Sequence, residues 1–345
     1  MKIQSLLRSI PRGWHSKSLN FQFLTPVLLI LLTFGLCESD GATLRFEKVG
    51  DHCYYLRPSA GGDNVAAVVT GEGILIVDPP SGPDLPLTVE ALKRLSPKPV
   101  RWVVFSNPRS ARSEGARLFA EQGAVLLGGT QLYKLAESMP GADANKGTPG
   151  GEAVNLTSFA WLTFDRQVRL FPSNVEIRIS ALQHKARTGG DMVVFVPEDK
   201  VLFAGALYEA ARYPDIDAPA QGNAGEWVDA LKEVVESIPV LKPAIPQAKP
   251  APAKPVPAKP VKEEPEKEKT LEEGIAVVSA RGEVSNLQNM KDLLSACQKL
   301  HADIERAVKG GRTCESFLAS PRADTYRSYA NLDSFALQMC EAIRD

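Results

Sequence analysis

The sequence is poor in the residues that hold transition metals or carry thiol redox chemistry. Its 345 residues include only five cysteines and four histidines, and these form no CxxC, HxH or HExxH spacing. A zinc site needs about four nitrogen, sulfur or oxygen donors at suitable spacing. The sequence therefore excludes the ordinary motifs of a zinc enzyme or a dithiol oxidoreductase.

The sequence also lacks an excess of charge of either sign. It has 40 Lys and Arg against 41 Asp and Glu, for a formal net charge of −1. This balance excludes a generally basic nucleic-acid coat, and we expect no nucleic-acid partner. Hydrophobic residues make up 44% of the chain and charged residues 23%, a composition that excludes global disorder and allows a sizeable core.

The N-terminal segment lacks acidic residues, since Glu38 is the first in the chain. Basic residues are scattered over residues 1–20, and residues 21–37 form an apolar run. A basic region, an apolar region and then a polar segment are typical of an export signal. The run is at the short end for crossing a bilayer. Three interpretations stay open for residues 1–37: a cleaved signal peptide, an uncleaved anchor that associates with a membrane through residues 21–37, or a buried helix.

Export would place the protein in a periplasmic or extracellular compartment, where disulfides form. Cys53, Cys297, Cys314 and Cys340 would remain after signal cleavage, and three of them fall in the C-terminal region. One disulfide in that region and buried free thiols are both compatible with this pattern. The pairing does not follow from the sequence.

Strand and helix patterns alternate through the first half of the chain. Residues 64–78 predict two strands joined by Gly-Glu-Gly, and residues 101–105 predict a short buried strand before the next helix. Residues 156–207 then contain several β-rich stretches. This order indicates an α/β fold with layered sheets and helices.

A further helix is predicted over residues 223–237. Asn223 is the candidate N-cap, and Glu226 stands three residues on, which approximates a capping box.

A proline-rich stretch divides the chain near residue 242. Residues 242–269 contain eight prolines and few large apolar side chains, so we predict a disordered, polyproline-like insert over residues 242–273. A simple spacer and a docking segment for a partner protein are both open. Beyond the insert, the pattern predicts a strand at 275–278 and an amphipathic helix over 287–308, ended by Gly310 and Gly311.

Four segments together resemble the metallo-β-lactamase superfamily in order and spacing. They are Asn64–Asp78, RWVVFSNPRSARSEGARLF (101–119), ARTGGDMVVFVPEDKVLFAGALY (186–208) and VSARGEV (278–284). The resemblance covers roughly residues 45–310 and is nearest to the periplasmic hydrolase-like branch. It implies a four-layer αββα sandwich with a helical C-terminus. The main part would span residues 44–241, and residues 274–345 would supply the last strand and the C-terminal helices.

The positions that hold metal in this family carry other residues here. The HxHxDH motif is replaced by Asn107, Arg109, Ala111 and Arg112; the third histidine by Arg187; the bridging aspartate by Ala206; and the last histidine by Arg281. Guanidinium has no acceptor atom and stays protonated, alanine offers no ligand, and asparagine is a poor one. The resemblance therefore implies no zinc cofactor, no activation of water and no catalytic residues at these positions. It predicts a pseudoenzyme; the alternative is a hydrolase with an atypical site.

The same resemblance predicts that Arg109, Arg112, Arg187 and Arg281 converge on the former metal cavity. Like charges at such distances repel strongly unless they are paired or hydrated. Acids could neutralise the arginines, with Glu114, Asp191, Glu209 and Glu283 as the candidates, and Asp78 and Asp191 would flank the pocket. Alternatively, the pocket could bind an anionic small molecule or an acidic partner protein.

Overall fold

The chain forms two packed β-sheets with helices against them, and the computed structural model describes residues 44–58, 62–139, 156–238 and 274–344. The signal or anchor over residues 1–37 and the insert over residues 242–273 lie outside the described residues and stay predictions. Within the described ranges, no helix has the length and apolar character that crossing a bilayer requires.

The first sheet has seven strands in the part of the chain that the structure describes. They are β1 Glu47–Lys48, β2 Cys53–Leu56, β3 Val65–Val69, β4 Ile74–Val77, β5 Val100–Val104, β6 Val125–Gly129 and β7 Trp161–Phe164. Their order in the sheet follows the chain. Neighbours from β1 to β4 run antiparallel, and neighbours from β4 to β7 run parallel.

The second sheet has six strands within the same described ranges. They are β8 Gln167–Leu170, β9 Ile177–Ala181, β10 Met192–Val196, β11 Val201–Gly205, β12 Ala276–Ser279 and β13 Ser285–Asn286. The order is β13-β12-β11-β10-β9-β8, and only the β11–β12 pair among these neighbours is parallel. The strand predicted at 275–278 is thus confirmed as β12, and it joins the second sheet.

Eight α-helices accompany the sheets in the described residues. They are α1 Asp84–Leu95, α2 Glu114–Glu121, α3 Thr130–Ser138, α4 Ala224–Ser237, α5 Leu287–Lys309, α6 Cys314–Leu318, α7 Pro321–Asp324 and α8 Leu332–Arg344. The long helix predicted before Gly310 is confirmed as α5.

Alternating side chains of the second sheet face two separate cores. Met192 and Val194 of β10 belong to the core shared with the first sheet, whereas Val193 and Phe195 belong to the core beneath α4, α5 and α8. A strand whose successive side chains point to opposite faces must be apolar throughout when both faces are covered. This two-sided burial confirms the four-layer αββα sandwich.

The start of α4 is set by Asn223, as predicted, but the capping box is not formed. The Asn223 Oδ1 atom accepts hydrogen bonds from the Gly225 and Glu226 amides at 2.9 and 3.0 Å. The Glu226 carboxylate instead accepts the Lys185 amide at 3.0 Å. It thereby ties α4 to the loop before β10, which carries Arg187.

The four cysteines of the described residues include both a disulfide in the C-terminal region and buried free thiols, the two alternatives that the sequence left open. A disulfide joins Cys314 of α6 to Cys340 of α8. Cys53 and Cys297 are free thiols and are fully buried. Burial raises the pKa of both thiols well above the ordinary value, so we expect them to be inert.

Candidate functional site

A pocket of about 460 Å³ lies where loops from both sheets meet. Its lining comes from the loop after β2, the loop after β4, the loop after β5, the loop before β10 and the turn between β12 and β13. Several of these loops lie in the segments that carry the resemblance stated above. The predicted residues Asp78, Asn107, Arg109, Arg187 and Arg281 all line this pocket.

Asp78 turns the chain out of β4 and shapes the floor of the pocket. It has a φ of 52°, and its Oδ1 atom accepts the Ser106 amide at 2.7 Å. Burial raises the pKa of Asp78, although hydrogen bonds from Ser106 and Ser110 oppose the shift. Asp78 thus joins the ends of β4 and β5 and stays in contact with the pocket.

Asn107 builds the turn that presents Arg109. Its side chain is 5% exposed, and its Oδ1 atom accepts the Arg109 and Ser110 amides at 3.0 and 3.2 Å. Its acceptor therefore serves the backbone, as is typical of asparagine in turns.

Arg109 is paired with a carboxylate from a distant loop. Its guanidinium donates to both Asp217 oxygens, with Nη2 to Oδ1 at 2.8 Å. Burial acts to raise the pKa of Asp217, but the bonds and charge of Arg109 outweigh it and hold that pKa below the ordinary value.

Arg281, near the C-terminal end of the fold, is paired with an aspartate near its N-terminal end. Its Nε atom donates to Asp63 Oδ1 at 2.8 Å. Neighbouring Asn64 is 6% exposed and donates to the Ser279 and Gly282 carbonyls, both at 3.0 Å. These bonds hold the β12–β13 turn against the loop after β2, so Arg281 is fixed at the rim of the pocket.

Arg187 lines the pocket without a carboxylate partner of its own. Its backbone carbonyl accepts the Asp217 amide at 2.8 Å, which holds the loop in place. Its Nε atom is buried and has no hydrogen-bond partner within the described part of the chain, where Arg187 also forms no ion pair. A buried donor without an acceptor costs about 1–3 kcal/mol, so this guanidinium is poised to bind an acceptor.

Arg112 does not line the pocket, unlike the other three predicted arginines. The short 3₁₀ turn Ser110–Arg112 directs it toward α3, where its Nη1 atom donates to the Ala136 carbonyl at 2.6 Å. It is 8% exposed, and burial lowers its pKa. The structure therefore brings three of the four arginines together and uses Arg112 to cap the last turn of a helix.

The other predicted positions are buried outside the lining. Ala111 is fully buried in the core, and Ala206 is 3% exposed after β11. Asp191 is 3% exposed and accepts the Thr188 amide and hydroxyl at 2.7 and 2.5 Å. Burial raises the pKa of Asp191 to about 7, against the opposing effects of Thr188 and Arg187. By accepting these two hydrogen bonds, Asp191 stabilises the loop that carries Arg187.

The acids that pair the pocket arginines are not those that the sequence suggested. Glu114 accepts the Gly82 amide at 2.9 Å, Glu283 pairs with Arg57, and Glu209 pairs with Arg212. The actual partners, Asp217 and Asp63, stand 108 and 218 residues from their arginines. No local sequence signal connects residues so far apart.

Solved structures identify the fold. A metallo-β-lactamase from Pontibacter korlensis superimposes with a TM-score of 0.51 and 16% sequence identity, covering 74% of this chain and 99% of that one. The sec-alkylsulfatase Pisa1 from Pseudomonas sp. gives a TM-score of 0.59 at 14% identity over 86% of this chain. The chain has the metallo-β-lactamase fold.

The DIM-1 metallo-β-lactamase gives a TM-score of 0.50 at 15% identity, covering 74% of this chain and 97% of that one. The present chain spans half the length of the alkylsulfatase. No family model matches the sequence. At these identities the likeness concerns the fold alone, so the site must be judged by its own residues.

The pocket residues do not fit the zinc that the metallo-β-lactamase fold implies. In the described ranges, no group of three or more His, Cys, Asp or Glu side chains could hold a metal ion. The pocket instead presents three guanidinium groups, and the amide oxygen of Asn107 is already bonded to the backbone. The lining contains no imidazole and no thiolate, and its carboxylates do not gather into a group of the size that zinc requires.

Proposed function

We propose that the protein is a non-catalytic, anion-binding member of the metallo-β-lactamase fold, in which an arginine pocket stands where relatives bind metal. The observation that carries this proposal is the buried Nε atom of Arg187, which lacks an acceptor within the described residues. A carboxylate or a phosphate would supply that acceptor in a bidentate geometry.

Charge pairing in the pocket supports one anion and not several. Arg109 and Arg281 are each engaged by an aspartate, so their charges are largely neutralised at short range. Arg187 is left with positive charge that the pocket does not cancel by direct pairing. The ligand is therefore a small anion or an anionic group of a larger molecule, held chiefly by Arg187.

Calorimetry and thermal unfolding test this function directly. The probes are inorganic phosphate, sulfate and succinate, added to the purified protein. A ligand that binds only the folded state raises the apparent melting temperature. We expect at least one probe to bind, and we expect Arg187→Gln to weaken that binding by about tenfold or more, as for loss of a charged hydrogen bond.

The matched control is Arg117→Gln, which removes an exposed arginine of α2 that does not line the pocket. This variant should bind the probes like the wild type. Absence of binding by every probe, or an equal loss in both variants, would overturn the anion-binding proposal.

Metal analysis separates this proposal from a hydrolase with an atypical site. After expression in zinc-supplemented medium, the protein should carry far less than one equivalent of zinc. Stoichiometric zinc in the purified protein would favour the hydrolase and contradict the pseudoenzyme.

Export is part of the proposal. It is supported by the basic-then-apolar order of residues 1–37 and by the disulfide between Cys314 and Cys340, since such bonds persist in oxidising compartments. Cell fractionation with N-terminal sequencing of the recovered chain tests it. A reduced protein recovered from the cytoplasm would refute export.

A further inference from the structure

A carboxylate in the pocket, of opposite charge to Arg187, also has no partner among the described residues. Asp84 is the first residue of α1 and lines the same pocket. Its carboxylate makes no hydrogen bond or ion pair with any residue that the structure describes. Asp84 therefore presents a negative charge to the pocket.

Asp84 and Arg187 belong to different walls. The Asp84 Oδ2 atom lies beside Gly62, 3.4 Å from the position of a Cβ added there, and so borders the loop that carries Asp63. Arg187 belongs to the wall that contains Arg109 and Asp217. Arg187 and Asp84 do not pair with each other, although both line one cavity.

The other ionisable side chains of the lining each have a partner in an ion pair or a hydrogen bond. Arg109 is bonded to Asp217 and Arg281 to Asp63. Asp78 accepts the Ser106 amide within the turn after β4. Within the described residues, this leaves Arg187 on one wall and Asp84 on the other without an ion-pair partner or a side-chain hydrogen bond, in a bipolar cavity of about 460 Å³.

We propose that the ligand of this pocket is a small zwitterion whose anionic group binds Arg187 and whose ammonium group binds Asp84. This inference rests on the anion-binding function proposed above and specifies its ligand class. Because Arg187 and Asp84 line one pocket but form no ion pair with each other, the ligand needs a spacer between its two charges, as in an ω-amino acid or a short peptide. The cavity volume is in the range of small-molecule sites.

The test compares hexanoate, 1-aminohexane and 6-aminohexanoate by calorimetry at one pH and ionic strength. These probes share a carbon chain and differ only in which charged ends they carry. We expect 6-aminohexanoate to bind about tenfold or more tightly than either single-charge probe, since a charged hydrogen bond contributes roughly 1.5–3 kcal/mol.

Two variants test which side chain binds the ammonium group of the probe and which binds its carboxylate. Asp84→Asn should remove the advantage of 6-aminohexanoate and leave hexanoate binding unchanged. Arg187→Gln should weaken both carboxylate probes. The matched control is Glu90→Gln, which alters an exposed acid of α1 that pairs with Lys93 and does not line the pocket.

A conservative variant of Asp84 tests whether this side chain contacts the ligand. If Asp84 had only a structural role, the preferred length of the ligand would not change. Asp84→Glu moves the carboxylate one methylene into the cavity, so the preferred ligand should shift from 6-aminohexanoate toward 5-aminopentanoate.

The two proposals fail in different ways. If hexanoate binds and 6-aminohexanoate binds no better, the zwitterion inference is wrong and the anion-binding function stands. If phosphate, sulfate, succinate and all three chain probes fail to bind, both are wrong.

Discussion

The guanidinium of Arg109 and the carboxylate of Asp217 form a two-point pair across 108 residues of sequence. The pair joins the loop after β5 to the loop that precedes α4. It lies at the rim of the pocket, with the arginine side chain 55% exposed and the aspartate 9% exposed. This pair restrains one of the three pocket arginines; Arg281 is paired with Asp63, and Arg187 has no carboxylate partner among the described residues.

Removing the charge of Asp217 should release Arg109 for ligand binding. In Asp217→Asn we expect phosphate affinity to rise by about threefold, because a partly exposed pair holds back less than about 1 kcal/mol. Calorimetry measures this change. Asp333→Asn, which breaks an exposed pair with Arg327 near the C-terminus, is the control. Unchanged affinity in Asp217→Asn would show that Arg109 takes no part in binding.

The buried carboxyl of Asp191 should make stability depend on pH. Its pKa is raised to about 7 in the fold, against an ordinary value of 3.8. Between these values the unfolded chain is ionised while the folded protein keeps its proton, so the free energy of unfolding falls as pH rises from about 4 to about 7. Urea unfolding across this range should show a loss of a few kcal/mol.

Asp191→Asn should flatten that profile, because the amide does not titrate. The exposed Asp51→Asn serves as control and should keep the wild-type slope. The opposite slope in the wild type would mean that Thr188 and Arg187 outweigh burial.

Loss of the Cys314–Cys340 disulfide should destabilise the C-terminal helices. The bond closes a loop with a sequence separation of 26, for which chain entropy gives about 3 kcal/mol. Cys314→Ala/Cys340→Ala should unfold at lower temperature, and reductant should bring the wild type to the same value. Cys297→Ala should lose packing but keep its response to reductant. Peptide mapping without reduction should recover the two half-cystines linked.

Gly205 should tolerate no side chain at the end of β11. It has a φ of 51°, and an added Cβ would lie 2.1 Å from the Ser106 Cβ atom. Gly205→Ala should therefore lower stability by more than the roughly 1–2 kcal/mol that left-handed strain costs alone. Gly123→Ala is the matched control, since Gly123 has a φ of 93° with nothing within 4 Å. Equal losses in the two variants would mean that Ser106 moves aside freely.

Local patterns predicted much of the fold. The apolar runs that became β4, β5, β10 and β11, the Asn223 cap of α4 and the glycine stop after α5 are properties of short segments. Hydrophobic periodicity and capping act over a few residues, so they are visible in the chain without the fold. The order and spacing of the four segments that resemble the metallo-β-lactamase superfamily then predicted how these elements are arranged in a four-layer sandwich.

Part of the lining of the pocket was also predictable from the sequence, since Arg109, Arg187 and Arg281 lie in the segments that resemble the superfamily, and all three line the pocket. The carboxylates that pair with these arginines were not predictable. The pairing of Asp217 and Asp63 depends on contacts between loops more than 100 residues apart, and the turn at Ser110 directs Arg112 toward α3. Side-chain pairing is a property of distances in space. For that reason the sequence predicts an arginine-containing pocket without the usual zinc ligands, whereas the tertiary structure decides which guanidinium is paired with a carboxylate and which one has no such partner among the described residues.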